Sequence, residues 1–359
     1  MSGPRWVGVR VVALAGVLAT SAVGCPCTDS MINESPWLRW QLFARYGADR
    51  VCQEMTKRGA LIQASVPVPG FSNATGRFYP QTCQSQINDA ERTLTLWMTG
   101  NGFAWTPATQ KMSFECTVSV KYKPDFHKSG DSLWVWFDVA EPPPVPQFRI
   151  VHVEQAATNV ALRLYGVEYF ANALASSFVS GELAKGFTVI QEESSQDFSF
   201  GRLPAGQRPV HPFDVSGSER FTLLNESMEL HGYQQDFLGP FEVDSKNRAL
   251  FLRMQVTGSP VDVFVVSRDV GFAWRTQYQS TSPPPPPPTG APVVQQLQVV
   301  PGTPFSAWVP VQKGLYYIVV DNSASAGALR PFPKLPTPFD PAIGLSSQLD
   351  YLVQVGERP

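Results

Sequence analysis

Apolar and polar positions along this 359-residue chain change period three times. Near the start, Trp37, Trp40, Leu42, Phe43 and Tyr46 fall at three- and four-residue steps, which predicts helix within 33–59. From Leu61 the period drops to two. Thr93–Met98 and Met112–Val120 alternate, Leu133–Val139 is a more continuous apolar run, and Phe148–Val153, Phe187–Ile190 and Asp197–Gly201 complete a strand series. A second helical pattern interrupts it: Val160, Leu164, Val167, Ala171, Leu174 and Phe178 form one apolar stripe, predicting a long helix over 155–185 with Gly186 placed to end it. Past a Pro- and Gly-rich stretch at 203–212, strands are predicted at 221–224, 250–256, 261–267, 272–278, 293–300, 306–310 and 315–321. The expected architecture is an α+β N-terminal domain over 25–205, an antiparallel sheet with one long helix. A linker at 206–214 leads to an all-β sandwich domain over 215–325. A Pro-rich tail, 326–359, is read as extended along the surface before a short apolar end, Leu349–Val355.

Composition narrows the class. Only 16% of residues are charged while 43% are apolar, so the chain is charge-poor yet able to fill cores. The 33 Pro and 27 Gly argue against a mainly helical protein, and a net charge of −2 leaves no electrostatic footprint for nucleic acid. Six consecutive prolines, Pro283–Pro288, read as a stiff exposed loop spanning 282–290, in preference to a docking ligand for a partner's aromatic groove.

Arg5 and Arg10 precede an apolar stretch from Val11 to Val23, shorter than the ~20 residues needed to cross a bilayer. It reads as a secretory signal over 1–24. Ala22-Val23-Gly24-Cys25 resembles the lipobox of bacterial lipoproteins, although Ala22 stands where Leu is commonest. That resemblance implies lipidation of Cys25 and a membrane anchor. Pro26 follows, with no Asp to signal inner-membrane retention, which points to an outer-membrane lipoprotein, facing the periplasm or the surface. Cys27, Cys52, Cys83 and Cys116 then remain, an even number suited to an oxidising compartment. Four cysteines allow three pairings; Cys27–Cys52 with Cys83–Cys116 is the preferred one.

The sheet series, the long striped helix and the run Gly186-Phe187-Thr188-Val189-Ile190 resemble the TULIP superfamily of lipid-binding proteins over residues 50–205. That likeness implies a curved sheet wrapped around a helix, with an apolar groove for lipid tails. Farther on, Gly258–Val266 and Gly314–Asn322 resemble paired strands of the bacterial pre-peptidase C-terminal domain and the eukaryotic GOLD domain over 215–325. Those domains bind, shield or tether and are not catalytic.

Motifs for catalysis are missing: no G-x-S-x-G, H-E-x-x-H, P-loop or G-x-G-x-x-G occurs. His127, His152, His211 and His231 are isolated, and His152 reads as an outward sheet residue. Asp236, Glu242 and Asp244 lack EF-hand order, and no metal or cofactor is expected. Trp134 and Trp136 share one strand face, as core or as an aromatic lining. The candidate ligand residues are therefore Val160, Leu164, Val167, Leu174 and Phe178 with Trp134 and Trp136. The function expected is a lipid-anchored envelope protein holding or transferring a lipid or other apolar ligand. The alternative is a non-catalytic interaction lipoprotein with an envelope protein partner.

Overall fold

The computed structural model describes residues 26–57, 60–68, 71–106, 110–144, 146–154, 182–332 and 346–359. The first region opens with three short helices, α1 (Pro26–Glu34), α2 (Pro36–Tyr46) and α3 (Ala48–Lys57). Ser35 divides the first two: its hydroxyl accepts the Leu38 N–H at 3.3 Å, and Pro36 sits where a helix needs no backbone donor. Eight antiparallel strands follow: β1 (Ala60–Val68), β2 (Phe71–Asn88), β3 (Thr93–Thr106), β4 (Gln110–Ser129), β5 (Ser132–Val139), β6 (Gln147–Val153), β7 (Phe187–Gln191) and β8 (Gln196–Phe200). Their order is β1-β2-β3-β4-β5-β7-β8, with β6 beside β4. The 20-residue β4 changes partner along its length, pairing with β6 over Met112–Thr117 and with β5 over Tyr122–Ser129. Its even-numbered residues from Met112 to Tyr122 turn to one face, where they join Leu94, Leu96 and Met98 of β3 and Trp40 and Phe43 of α2 in one buried core.

The second region is a sandwich of two four-stranded sheets. Its elements are β9 (Phe221–Leu230), β10 (Gln234–Val243), β11 (Arg248–Gly258), β12 (Val261–Ser267), α4 (Arg268–Ser280), β13 (Val293–Val299), β14 (Phe305–Val309), β15 (Gly314–Asn322) and β16 (Ser347–Glu357). One sheet runs β10-β15-β12-β13 and the other β14-β11-β16-β9. Alternate residues of both sheets, among them Leu250, Leu252, Val263, Val265, Ile318 and Val353, fill the space between them. Strands β12 and β15 are buried on both faces. Their opposite residues, Phe264, Val266, Tyr317 and Val319, form a second core with Trp274 and Tyr278 of α4 and with Tyr79 and Phe103 of the first sheet. That double burial explains the continuous apolar runs of both strands.

Several expectations are overturned. The α+β class is replaced by a mostly β chain: the described residues are 54% strand and 15% helical, and their four helices are short. Of the long helix expected over 155–185, residues 155–181 lie outside the described residues, and Leu183–Lys185 forms a single 3-10 turn. The strand expected at 272–278 is helix α4, whose buried residues Gly271, Trp274, Arg275, Tyr278 and Gln279 repeat at helical spacing. The short apolar end, Leu349–Val355, lies within β16, paired with β11 on one side and β9 on the other, so it belongs to the sandwich; residues 333–345 of the tail lie outside the described residues. The proline loop is not simply exposed either: Pro284 and Pro285 are buried, and the Pro285 carbonyl accepts from Trp274 Nε1 at 3.0 Å. Among the described residues, no helix is long and apolar enough to cross a membrane.

Candidate functional site

The residues singled out from sequence do not converge. Cys25, Val160, Leu164, Val167, Leu174 and Phe178 lie outside the described residues, as does the side chain of Cys27. Trp134 and Trp136 are buried with Ile190 and Leu203 in a small cluster of their own. Trp136 Nε1 donates to the Leu203 carbonyl at 2.6 Å, and the Arg202 guanidinium lies over its ring, so this indole is fastened to the chain after β8 and does not line a groove. The preferred disulfide pairing is also corrected. Cys52 of α3 bonds Cys83 of β2, with Cα atoms 5.2 Å apart, and Cys116 is a free, buried thiol pushed up to about 12 by desolvation.

What the fold does bring together is polar chemistry between its two regions. Arg77 of β2 reaches into the sandwich, where its Nε donates to both oxygens of Asp236 on β10 at 2.7 and 2.8 Å. Its Nη2 donates to Tyr351 Oη of β16, which donates in turn to Glu226 of β9 at 2.9 Å. Both Arg77 and Asp236 are buried, so this charge pair links the sheets in a medium where neither charge is tolerated alone. Around it, Tyr79 Oη donates to the Phe237 carbonyl, Arg275 of α4 stacks over Tyr79, and Trp105 of β3 lies flat against His231, ring centroids 3.4 Å apart.

A second polar row crosses the first sheet. Ser113 of β4 and His152 of β6 are direct cross-strand partners, with Lys111 and Glu154 one step along the same face. Lys111 Nζ donates to the carbonyls of Tyr278 and Thr281 where α4 ends, and burial pushes its ammonium down to about 8. Desolvation, reinforced by Lys111, lowers His152 as well. Ser113 Oγ and His152 Nε2 are both buried and do not bond each other, so the serine is not activated by the imidazole. The arrangement resembles a nucleophile–base pair in residue type alone.

The third row is the most unusual. Gln235 of β10, Asp321 of β15 and Asp262 of β12 are successive cross-strand partners on the face that also carries Phe237, Val319 and Phe264. All three are buried. Asp262 accepts the Leu329 N–H on Oδ2 at 2.8 Å, and Asp321 accepts from Ser323 Oγ on Oδ1 at 2.7 Å. Among the described residues, the remaining oxygens, Asp262 Oδ1 and Asp321 Oδ2, have no partner, and neither does Gln235 Oε1. Gln235 Nε2 donates to the Pro285 carbonyl at 3.0 Å, which fixes which end of the amide is oxygen. Burial, with the Asp262 charge adding to it, pushes the Asp321 carboxyl up to about 6 against the opposing hydrogen bonds of Ser323 and Gln235. The loop after β15 closes over the row: Gly327 has φ +73, and a Cβ there would lie 2.2 Å from Asp262 Cγ.

Both aspartates fall within strands expected from sequence, 261–267 and 315–321, for which no polar role was expected. The available signal was a charge embedded in a continuous apolar run, Val261–Val266 and Leu315–Asn322. Among the described residues, no group of three or more His, Cys, Asp or Glu side chains is placed to hold a metal, so the row is distinct in using two carboxylates and an amide. Neither a family model nor a curated protein sequence matches the chain, so its chemistry stands on these residues alone.

Proposed function

We propose that this chain is a lipid-anchored, non-catalytic interaction protein of the cell envelope, attached through Cys25 at the outer membrane. The packing of its cores carries the reading. The sheet face that a lipid groove would need is occupied by Leu94, Leu96, Met98, Phe114 and Val118 packed with α2, and the sandwich interior is filled by its own side chains. Filled cores suit recognition by outer surfaces better than storage of an apolar ligand. The Cys52–Cys83 disulfide supports export to an oxidising compartment. The buried Ser113 and His152 offer no activated nucleophile, which weighs against hydrolysis. The partner is an envelope protein, with the lipid anchor supplying membrane attachment.

Cys25→Ser tests the anchor. In cells fed radiolabelled palmitate, the native chain takes up label and sediments with membranes, whereas the variant is unlabelled and soluble. A variant that stays labelled and membrane-bound overturns the anchor. Organic extraction of the purified native chain, followed by mass spectrometry, tests the rest: stoichiometric non-covalent lipid overturns the interaction reading in favour of lipid carriage.

A further inference from the structure

Three acceptor oxygens that lack donors among the described residues are gathered on one sheet face. Asp262 Oδ1, Asp321 Oδ2 and Gln235 Oε1 come from three adjacent strands in one register row. The Gln235 side chain gives a hydrogen bond to Asp321, yet these three oxygens do not satisfy one another. Nor does an ion pair: among the described residues, no Lys or Arg pairs with Asp262 or Asp321, while Asp236 beside them has Arg77. Arg275 of α4 is engaged with Tyr79 and with Tyr317 Oη at 3.2 Å. Arg330 donates to the Ala324 carbonyl. A buried carboxylate without a counter-charge is strongly disfavoured, and here two stand side by side.

We propose that the Gln235–Asp321–Asp262 row holds a hard, oxygen-seeking divalent cation, calcium, beneath the loop 323–330. The donor set is all oxygen and carries two formal charges, which matches the preference of calcium and excludes softer metals that favour nitrogen or sulfur. The second oxygen of each carboxylate is already held, by Leu329 and Ser323, so both groups are oriented before the ion arrives. Gln235 is oriented likewise by its bond to Pro285. The loop provides the cover, since Gly327 allows its backbone to lie directly against Asp262. Calcium there ties β10, β15, β12 and the loop to one point, a structural role that does not depend on lipid anchoring.

Calorimetric titration of calcium chloride into the full chain, purified in detergent and stripped with EDTA, tests this at pH 7.5. One site is expected with a dissociation constant on the order of 0.1–1 mM. Thermal unfolding should shift upward by about 5 °C at calcium about a hundredfold above that constant. Asp262→Asn and Asp321→Asn each weaken binding about tenfold or more, and Asp131→Asn, in an exposed turn, leaves it unchanged. Gly327→Ala weakens it without altering a ligand. Should the row variants fail to fold, the native chain still decides, through the calcium-dependent rise in its own unfolding temperature. An unmoved unfolding temperature with calcium overturns the site, and so does an equal shift with sodium chloride at matched ionic strength. Undiminished binding by Asp321→Asn, or loss of binding by Asp131→Asn, overturns its location.

Discussion

The two regions of this chain place their acidic side chains differently. In the first sheet, the ion pairs Glu115–Arg149, Glu91–Lys121 and Asp138–Arg202 lie at exposed or half-buried positions, and the buried face is apolar and aromatic. In the sandwich, Asp262 and Asp321 are buried on middle strands and Asp236 on the edge strand β10. The difference follows from layering. A sheet with one covered face lets every second residue reach water. Strands β12 and β15 are covered on both faces, so any polar side chain on them must find a partner inside. Asp236 has found Arg77 from the other region; Asp262 and Asp321 have found only part of what they need.

The largest test of this contrast removes the shared ion pair. Arg77→Met leaves Asp236 buried and alone, and should destabilise the chain by about 3–5 kcal/mol in chemical denaturation. Adding Asp236→Asn should recover part of that loss, whereas Arg149→Met on the exposed pair should change stability by less than about 1 kcal/mol. Next in size is the covalent link of the first region. Cys52 and Cys83 are separated by 31 residues, so replacing both with Ala should cost about 3–4 kcal/mol by loop entropy. A denaturation profile in which only the first region's transition moves would show that the two regions unfold separately.

The row itself gives a signed pH effect. The folded-state carboxyl of Asp321 lies above its unfolded value, so its contribution to stability is full below pH ~4 and is lost as pH rises through about 6. Its titratable neighbours are Asp262 on β12 and Tyr278 on α4. With EDTA present, Asp321→Asn should therefore be more stable than the native chain by about 2–3 kcal/mol at pH 7.5 and no more stable at pH 4. Equal stability at both values would show that the burial cost is met by something other than a proton or a cation. The smallest effect concerns helix packing. A Cβ on Gly271 would lie 2.4 Å from the Tyr317 ring, so Gly271→Ala, normally favourable inside a helix, should instead cost about 1–3 kcal/mol.

Much of the strand pattern was readable because most strands alternate or run apolar without a break. The failures have specific causes. In α4, Trp274 and Tyr278 are four apart, a spacing that satisfies both the two-residue and the helical period; Gly271, Arg275 and Gln279 break the tie, but none of them looks apolar in sequence. Strand β10 is missing from the strands expected from sequence; it contains Gly239-Pro240, which the pairing absorbs by shifting register between Leu238 and Phe241. That omission hid Gln235, and with it the third member of the row. The disulfide was beyond sequence reasoning because it depends on α3 packing against β2. Asp262 and Asp321 were visible as charges inside apolar runs, but their adjacency exists only in the register of β12 and β15.

The position of β16 bears on how the sandwich is made. Strand β9 pairs with β16, Leu230 opposite Ser347, and β16 is the last of its sheet's four strands to leave the ribosome. Until those residues emerge, β9 stands without its neighbour and Leu349, Tyr351 and Val353 are missing from the core. A nascent chain halted anywhere before β16 therefore keeps an open sheet edge and an unfilled interior, a state recognisable to chaperones. Completion of the sheet therefore waits until β16 has been made.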